Sequence, residues 1–313
     1  MSQEKKIKGG LVVFRLLIII FVFFFCGCKK PSNVWYVEPE FEKEWRQITG
    51  QISPPQVFRE IHAWEGTEYP KGPGILIASK PWPGHEKVRV YNRLSMNPVN
   101  QGAVLLALDP WMIFSKYKNQ PLTASRIYPE AGGSGLLLMA GKDADSVQAW
   151  TARLVQGKPG EFPDDPGVWQ NAEEGLFSGN RFQNGAQSYN WQDVLFRLMG
   201  NESAWVYAPL SAIRRYPNPN KSILEAYAFP ERAGGGQYSL QAALLWVLPL
   251  GSAEEKEELA QTLEWLKKPE TQTIIANAID WIPADPYGKP YDPVSLTSHR
   301  NWLTAPYVYE VNE

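Results

Sequence analysis

Apolar and polar residues alternate along the chain in short, changing rhythms. Residues 16–25 form an unbroken apolar run, and residues 34–37 read as a first strand. Phe41, Trp45 and Ile48 recur at i, i+4 and i+7, which predicts a helix over residues 41–48. Residues 57–64 fit a strand or a short helix. Residues 75–78 and the alternating Val88-Arg89-Val90-Tyr91 read as strands. Residues 103–108, AVLLAL, are apolar throughout, as in a strand covered on both faces. That strand is expected to stop at Asp109-Pro110-Trp111, with residues 112–114 a further strand or a crossover. Helices are predicted over residues 143–155, 169–177 with Gly179 as C-cap, and 191–199 closed by Gly200. Strands are predicted over 204–207 and 226–229. Ser252-x-x-Glu255 is a capping box opening a helix with the stripe Leu259, Leu263, Leu266. Pro269 starts the next helix. The tail, 285–313, is rich in proline and aromatic residues. Strands alternating with helices predict an α/β chain with largely parallel sheets.

The first apolar run has chemistry around it. Lys5, Lys6, Lys8 and Arg15 precede it, and Gly27-Cys28 follows. A run of about ten residues is too short for a bilayer, which takes roughly twenty, but it suits the core of a secretory signal. The small residue before a cysteine resembles a bacterial lipobox. That resemblance implies cleavage before Cys28, a signal peptide over residues 1–27, a tether over 28–33, and palmitate-type lipid on Cys28. Phe25 stands where the lipobox usually has leucine. Cys26 is the rival site, with bulky Phe25 at the cut. The other reading is an uncleaved N-terminal membrane anchor. On either reading the rest of the chain is held at the cell membrane, facing the periplasm or the cell exterior.

Composition narrows the function. The formal net charge is −2 and no basic patch or motif points to nucleic acid. Both cysteines sit at the signal junction, so the folded part has no disulfide and no thiolate ligand. The three histidines, His62, His85 and His299, are far apart in sequence, and no metal or cofactor is expected. Gly132-Gly133-Ser134-Gly135 lacks the lysine of a phosphate loop and the spacing of a nucleophile elbow, so it reads as a turn or hinge. The chain is not expected to be an enzyme. Any Asp and Glu brought together in space would make a glycosidase pair, and Asp109 with the helix carboxylates Glu173, Glu174 and Asp193 are the candidates. The unusual quantity is tryptophan, 13 residues beside 14 tyrosines, more than a core of this size needs. Indole rings also line ligand pockets, where a few placed polar groups fix orientation. The candidate ligand-binding residues are therefore aromatic or acidic residues at element ends. Asp109 and Trp111 follow the buried strand, and α/β sheets bind ligands at such ends. Trp205 and Tyr207 share one strand face, which is either core or cleft. Trp64 with Glu65, and Trp281 after its helix, complete the set.

Three segments resemble a family 1 bacterial extracellular solute-binding protein, the receptor of an ABC-type importer. They are Asn190-Trp191 through Leu198-Met199-Gly200-Asn201-Glu202-Ser203-Ala204-Trp205-Val206-Tyr207, the helix pair over residues 253–277, and residues 102–117 around Asp109-Pro110-Trp111. The chain is shorter than usual members, with the missing text in the first lobe. The resemblance implies a two-lobed periplasmic-binding-protein-like α/β fold with a cleft between the lobes. Residues 34–110 plus 229–279 would form one lobe and 111–228 plus 280–313 the other. It also implies a small-molecule ligand and delivery to ABC importer membrane subunits by cleft closure. The aromatics point to a carbohydrate. The alternatives are a surface lipoprotein with a structural or adhesive role on the same fold, or a tethered carbohydrate-active enzyme. For the anchor, Cys28→Ser is expected to leave the precursor uncleaved and unlabelled by radioactive palmitate. Continued labelling of that variant overturns the assignment.

Overall fold

The computed structural model describes residues 33–52, 54–55, 58–66, 68–81, 87–93, 102–117, 123, 137–178, 181–200, 205–217, 223–230 and 239–311. Cys28 with the whole leader, the glycine-rich break at 131–135, Gly179 and Gly234-Gly235-Gly236 lie outside the described residues. In chain order the elements are β1 (Asn33–Val37), α1 (Glu42–Gln51), β2 (Phe58–Ala63), β3 (Gly74–Ala78), β4 (Val88–Asn92) and β5 (Val104–Ser115). There follow β6 (Leu137–Leu138), α2 (Ala144–Val155), α3 (Pro166–Glu174), α4 (Trp191–Gly200), β7 (Trp205–Pro209), α5 (Leu210–Arg215) and β8 (Glu225–Tyr227). The last part holds β9 (Ser239–Leu250), α6 (Ala253–Glu258), α7 (Ala260–Leu266), α8 (Pro269–Ala278), β10 (Ile282–Pro283), α9 (Pro293–Thr304) and β11 (Tyr307–Val311).

Local sequence sets most of the helix starts. Asp143 caps α2 by accepting from Ser146 N at 2.9 Å, and Asp165 caps α3 with Pro166 at the first helical position. That cap starts α3 three residues before the apolar pattern does, and the helix ends at Gly175. Ser252 and Glu255 form both halves of the expected capping box. The helix they open is interrupted at Leu259, so α6 and α7 are two short helices rather than one. The tail, unassigned from its composition, holds α9 and β11. Asp292 accepts from Ser295 N at 2.9 Å and Pro293 occupies the first turn of α9.

The sheet order β2-β1-β3-β9-β5-β7-β6 runs through both halves of the molecule. β5 pairs with β9 from Val104 to Pro110, then with β7 from Trp111 to Phe114 and with β8 from Ile113 to Ser115. It therefore does not stop at Asp109-Pro110-Trp111. Proline lacks a backbone donor and is excluded from the middle of a ladder, but Pro110 sits where β5 exchanges one partner for the next. β9 behaves in the same way. Its residues Ser239 to Gln241 pair with β11, and Trp246 to Leu250 pair with β3. The sheets are mixed rather than largely parallel. β1–β2, β1–β3, β6–β7 and β9–β11 are parallel, but the central pairs β3–β9, β5–β9 and β5–β7 are antiparallel. Of these strands, β5 and β9 run between the two halves, in opposite directions.

Each half has its own core. Trp35, Trp45, Ile77, Val247, Leu263 and Ile275 pack in one, and Leu137, Trp150, Trp205, Tyr207 and Phe229 in the other. A third cluster runs behind both, where Leu108, Met112 and Phe114 of β5 meet Trp302 of α9 and Val308 of β11. Among the described residues ten tryptophans are buried, so the excess of indole is mainly core and not ligand surface. Among the described residues no helix is long and apolar enough to cross a membrane. Trp45 and Trp150 are both fully covered. Trp45→Ala and Trp150→Ala should each lower the unfolding free energy by about 3–5 kcal/mol in a urea titration. A loss under about 1 kcal/mol at either site would contradict the packing described.

Candidate functional site

A cleft of about 620 Å³ opens where β5 and β9 change partners. Its floor is made by Asp109 and Trp111 of β5 and by Gln241, Ala242 and Ala243 of β9. Side chains two apart on a strand share a face, so Asp109 and Trp111 turn to the cleft while Leu108 and Met112 turn to the core behind. Ala243 stands opposite Asp109 in the register, and its small side chain leaves the space open.

One wall lies at the carboxyl ends of β1 and β3. There Glu38, Glu40 and Phe41 face the cleft beside Ser79 and Lys80. Glu38 ties these ends together, since its N–H donates to Ile77 O at 3.0 Å and its carboxylate accepts from Ser79 N at 2.7 Å. The opposite wall is made by α2 and α5, with Asp145, Gln148, Ser211 and Arg215. Burial pushes the Glu40 carboxyl up, and Glu38 adds to this. Arg215 and Lys80 pull it down, and Asp145 raises it again. Charges from both walls thus meet around Glu40.

Trp281 closes the rim. Asp280 before it adopts a left-handed backbone, φ 64°, the kind of position that aspartate tolerates better than most residues. Its carboxylate lies 3.4 Å from Arg215 Nε and 3.7 Å from Arg214 Nε, and Arg214 donates to Trp281 O at 2.9 Å. The Trp281 ring meets Phe41 edge-on at 5.3 Å between centroids.

Asp109, Trp111 and Trp281, named from the sequence, line this cleft. Asp109 also has a structural task. Its two carboxylate oxygens accept from Ser211 N at 2.9 Å and from Ser211 Oγ, which fixes the start of α5. Burial pushes its pKa to about 6 against these bonds. Trp205 and Tyr207 lie in the core of the second half, and neither lines the cleft. Trp64 is buried in the rear cluster with its indole N–H donating to Glu68 O at 2.7 Å, and Glu65 is exposed; neither lines the cleft. Of the helix carboxylates, Glu173, Glu174 and Asp193 are exposed. Asp193 is engaged in a reciprocal cap with Asn190, and Glu173 borders a separate hollow of about 350 Å³ beside Lys87 and Trp169. Among the described residues no group of three or more histidine, cysteine or carboxylate side chains is placed to hold a metal.

Sequence reasoning missed Glu38, Glu40, Gln241 and Glu310. Two of these carried a signal. Gln241 is the one amide in the apolar stretch SLQAALLWVLPL, and Glu310 is an acid on the alternating strand YVYEV. A polar residue in such a setting is more informative than a further apolar one. Glu310 is buried under the cleft floor, accepting from Tyr91 Oη at 2.8 Å and from Leu244 N at 3.1 Å. Burial pushes its pKa to about 7, above the usual carboxylate range, despite these bonds.

No protein-family profile matches the chain, and no curated protein matches it. Its fold is shared with known structures. The bacterial solute receptor AcbH, described as having an exclusive preference for β-D-galactopyranose, superposes with a TM-score of 0.59 at 14% identity, covering 90% of this chain and 88% of that one. A probable secreted solute-binding lipoprotein from Streptomyces coelicolor gives 0.56 at 11% identity, over 86% of each chain. A Bordetella ferric binding protein gives 0.54 at 14% identity, over 85% of this chain and 90% of that one. The chain has the two-lobed α/β fold of periplasmic solute-binding proteins, with a cleft between lobes.

The Glu310 carboxyl yields a pH prediction. A folded-state pKa above the unfolded value means that the folded protein holds the proton more tightly. The stability this contributes is full below about pH 4 and is lost as pH rises through about 7. Glu310→Gln stays neutral throughout. Its stability relative to the parent should therefore improve by on the order of 2 kcal/mol between pH 5 and pH 8 in urea titrations. A difference that does not change with pH would place the Glu310 charge elsewhere.

Proposed function

We propose that this chain is an extracytoplasmic solute-binding receptor that takes a carbohydrate between its lobes. The observation that carries this reading is the composition of the cleft at the β5–β9 changeover. Two indoles, Trp111 and Trp281, border a hollow of about 620 Å³ whose walls hold both carboxylates and cations. Small-molecule sites commonly combine aromatic walls with a few placed polar groups. Sugars present apolar ring faces for the indoles and hydroxyls for the polar groups. The opposed signs of Glu38, Glu40 and Asp145 against Lys80 and Arg215 favour an uncharged, hydroxyl-rich ligand over a strongly charged one.

The fold supplies the means of capture. The lobes are joined through strands shared by both, so a small change in backbone angles near Pro110 and Ala242 would move one wall toward the other. A ligand that touches both walls stabilises the closed arrangement by contacts it cannot make in the open one. The leader with Cys28 supports a lipid tether at the membrane surface, and the shared fold supports delivery of the captured solute to the membrane subunits of an ABC importer. Trp64, Glu65, Trp205 and Tyr207 have no place in this site. Trp111, Trp281 and, through the position of α5, Asp109 keep theirs.

A thermal-shift screen with galactose, maltose and chitin oligosaccharides tests the reading, followed by calorimetric titration. At a hundredfold excess over Kd one of them should add about 2.7 kcal/mol of stability. Trp281→Ala should then weaken that sugar by about 2 kcal/mol if its ring is a binding hot spot. Absence of any stabilisation points to the structural or adhesive role instead, and turnover of the added sugar points to the enzyme.

A further inference from the structure

Behind the cleft floor, a chain of hydrogen bonds fixes which way one amide points. Arg153 of α2 is 2% exposed and packs between the rings of Tyr207, Phe229 and Tyr309, with its guanidinium carbon 5.6, 4.7 and 5.1 Å from their centroids. Its Nη2 donates to Ser239 O at 2.9 Å and its Nε donates to Tyr207 Oη at 3.0 Å. A guanidinium has no acceptor. The Tyr207 oxygen therefore receives a hydrogen from Arg153 and passes its own on to Gln241. It lies 3.1 Å from Gln241 Oε1, and the Tyr309 hydroxyl lies 3.2 Å from the same atom. Two hydroxyl donors converge on one amide atom, so that atom is the carbonyl oxygen. Amide orientation is often ambiguous; here both tyrosine hydroxyls donate to Gln241 Oε1.

The consequence lies on the other side of the amide. Gln241 is 5% exposed and lines the cleft. Its oxygen is held by the tyrosines, so its NH₂ group is left to the cleft, with no protein acceptor among the described residues. The group is open to the cleft, where water or a ligand oxygen can accept from it.

We infer that Gln241 is a specificity-determining residue of the solute site: a pre-oriented donor that selects ligands presenting an oxygen acceptor to the floor and disfavours ammonium groups there. The ligand class is a neutral polyhydroxylated molecule with acceptor oxygens directed at Gln241 and hydroxyl donors directed at the wall carboxylates Glu38, Glu40 and Asp145. Arg153 and Tyr207 are positioning residues, which act only by holding the amide. This inference rests on the reading of the cleft as a solute site.

The test is calorimetric titration of the full chain with galactose, maltose, chitin oligosaccharides and, as a cationic probe, spermidine. Gln241→Glu keeps an oxygen for both tyrosines and replaces the donor by an acceptor. Gln241→Met keeps the length and removes the donor, and it serves if the glutamate variant does not fold. Tyr207→Phe releases the amide without touching the cleft. A sugar that binds the parent chain should bind either Gln241 variant at least about tenfold more weakly. Tyr207→Phe should show a smaller loss, and circular dichroism melts should show that each variant remains folded. Affinity within twofold in a folded Gln241 variant overturns this inference and leaves the receptor reading intact. Binding of spermidine in preference to every sugar overturns the ligand class. If the parent chain binds none of the probes, the carbohydrate-receptor reading falls and this inference falls with it.

Discussion

Two strands belong to both lobes at once, and each changes partners in mid-course. Backbone donors and acceptors that lose a neighbour inside a protein must find another. The sequence answers this at each changeover. Pro110 has no N–H to satisfy where β5 leaves β9 for β7. Leu244, on the part of β9 between its pairing with β11 and its pairing with β3, donates its N–H to the Glu310 carboxyl. Asp109 takes the N–H of Ser211 at the start of α5. These devices sit beside the cleft because the cleft forms where the partners change. Part of its acidity therefore belongs to the fold. Asp109 and Glu310 complete the backbone, accepting from Ser211 N and Leu244 N.

The same alternation divides labour along β5. Leu108, Met112 and Phe114 face backward into a cluster that extends across both lobes and is covered by Trp302 of α9. Asp109 and Trp111 face forward. The rear cluster gives the junction a continuous apolar backing. The arginine pair contributes on the flank. Arg214 reaches Trp281 O, Asp280 and Asp292, which caps α9, so the helix behind the junction and the indole at the rim are linked through one side chain.

Much of the architecture was legible from periodicity and caps. The strands at β1, β3, β4 and β7, and the helices α1, α2, α4 and α8, follow from local pattern because their apolar faces repeat within a few residues. What was hidden is non-local. Asp109-Pro110-Trp111 reads as a stop by every short-range rule, and only the exchange of partners far away in sequence, Ala242 and Ala243 for Pro209 and Ala208, makes it a continuous strand. The excess of tryptophan suggested binding surface, but most indoles fill the three clusters. The site was half legible. Strand ends pointed to Asp109 and Trp111, and a helix end pointed to Trp281. Trp205 and Tyr207 could have faced either way, since two residues on one strand face do not reveal what covers it. Gln241 and Glu310 depend on residues brought together by the sheet, although each broke an otherwise apolar or aromatic pattern.

β11 gives the fold a timetable. Residues Tyr307–Val311 lie between β4 and the start of β9, more than 200 residues from the first of these in sequence, and they carry both Tyr309 and Glu310 to the cleft floor. A ribosome makes these residues after every other described element. Until they emerge, β4 lacks its neighbour, Leu244 lacks its acceptor, and the tyrosine that helps aim Gln241 is absent. Vectorial synthesis thus keeps the chain from closing its sheet early.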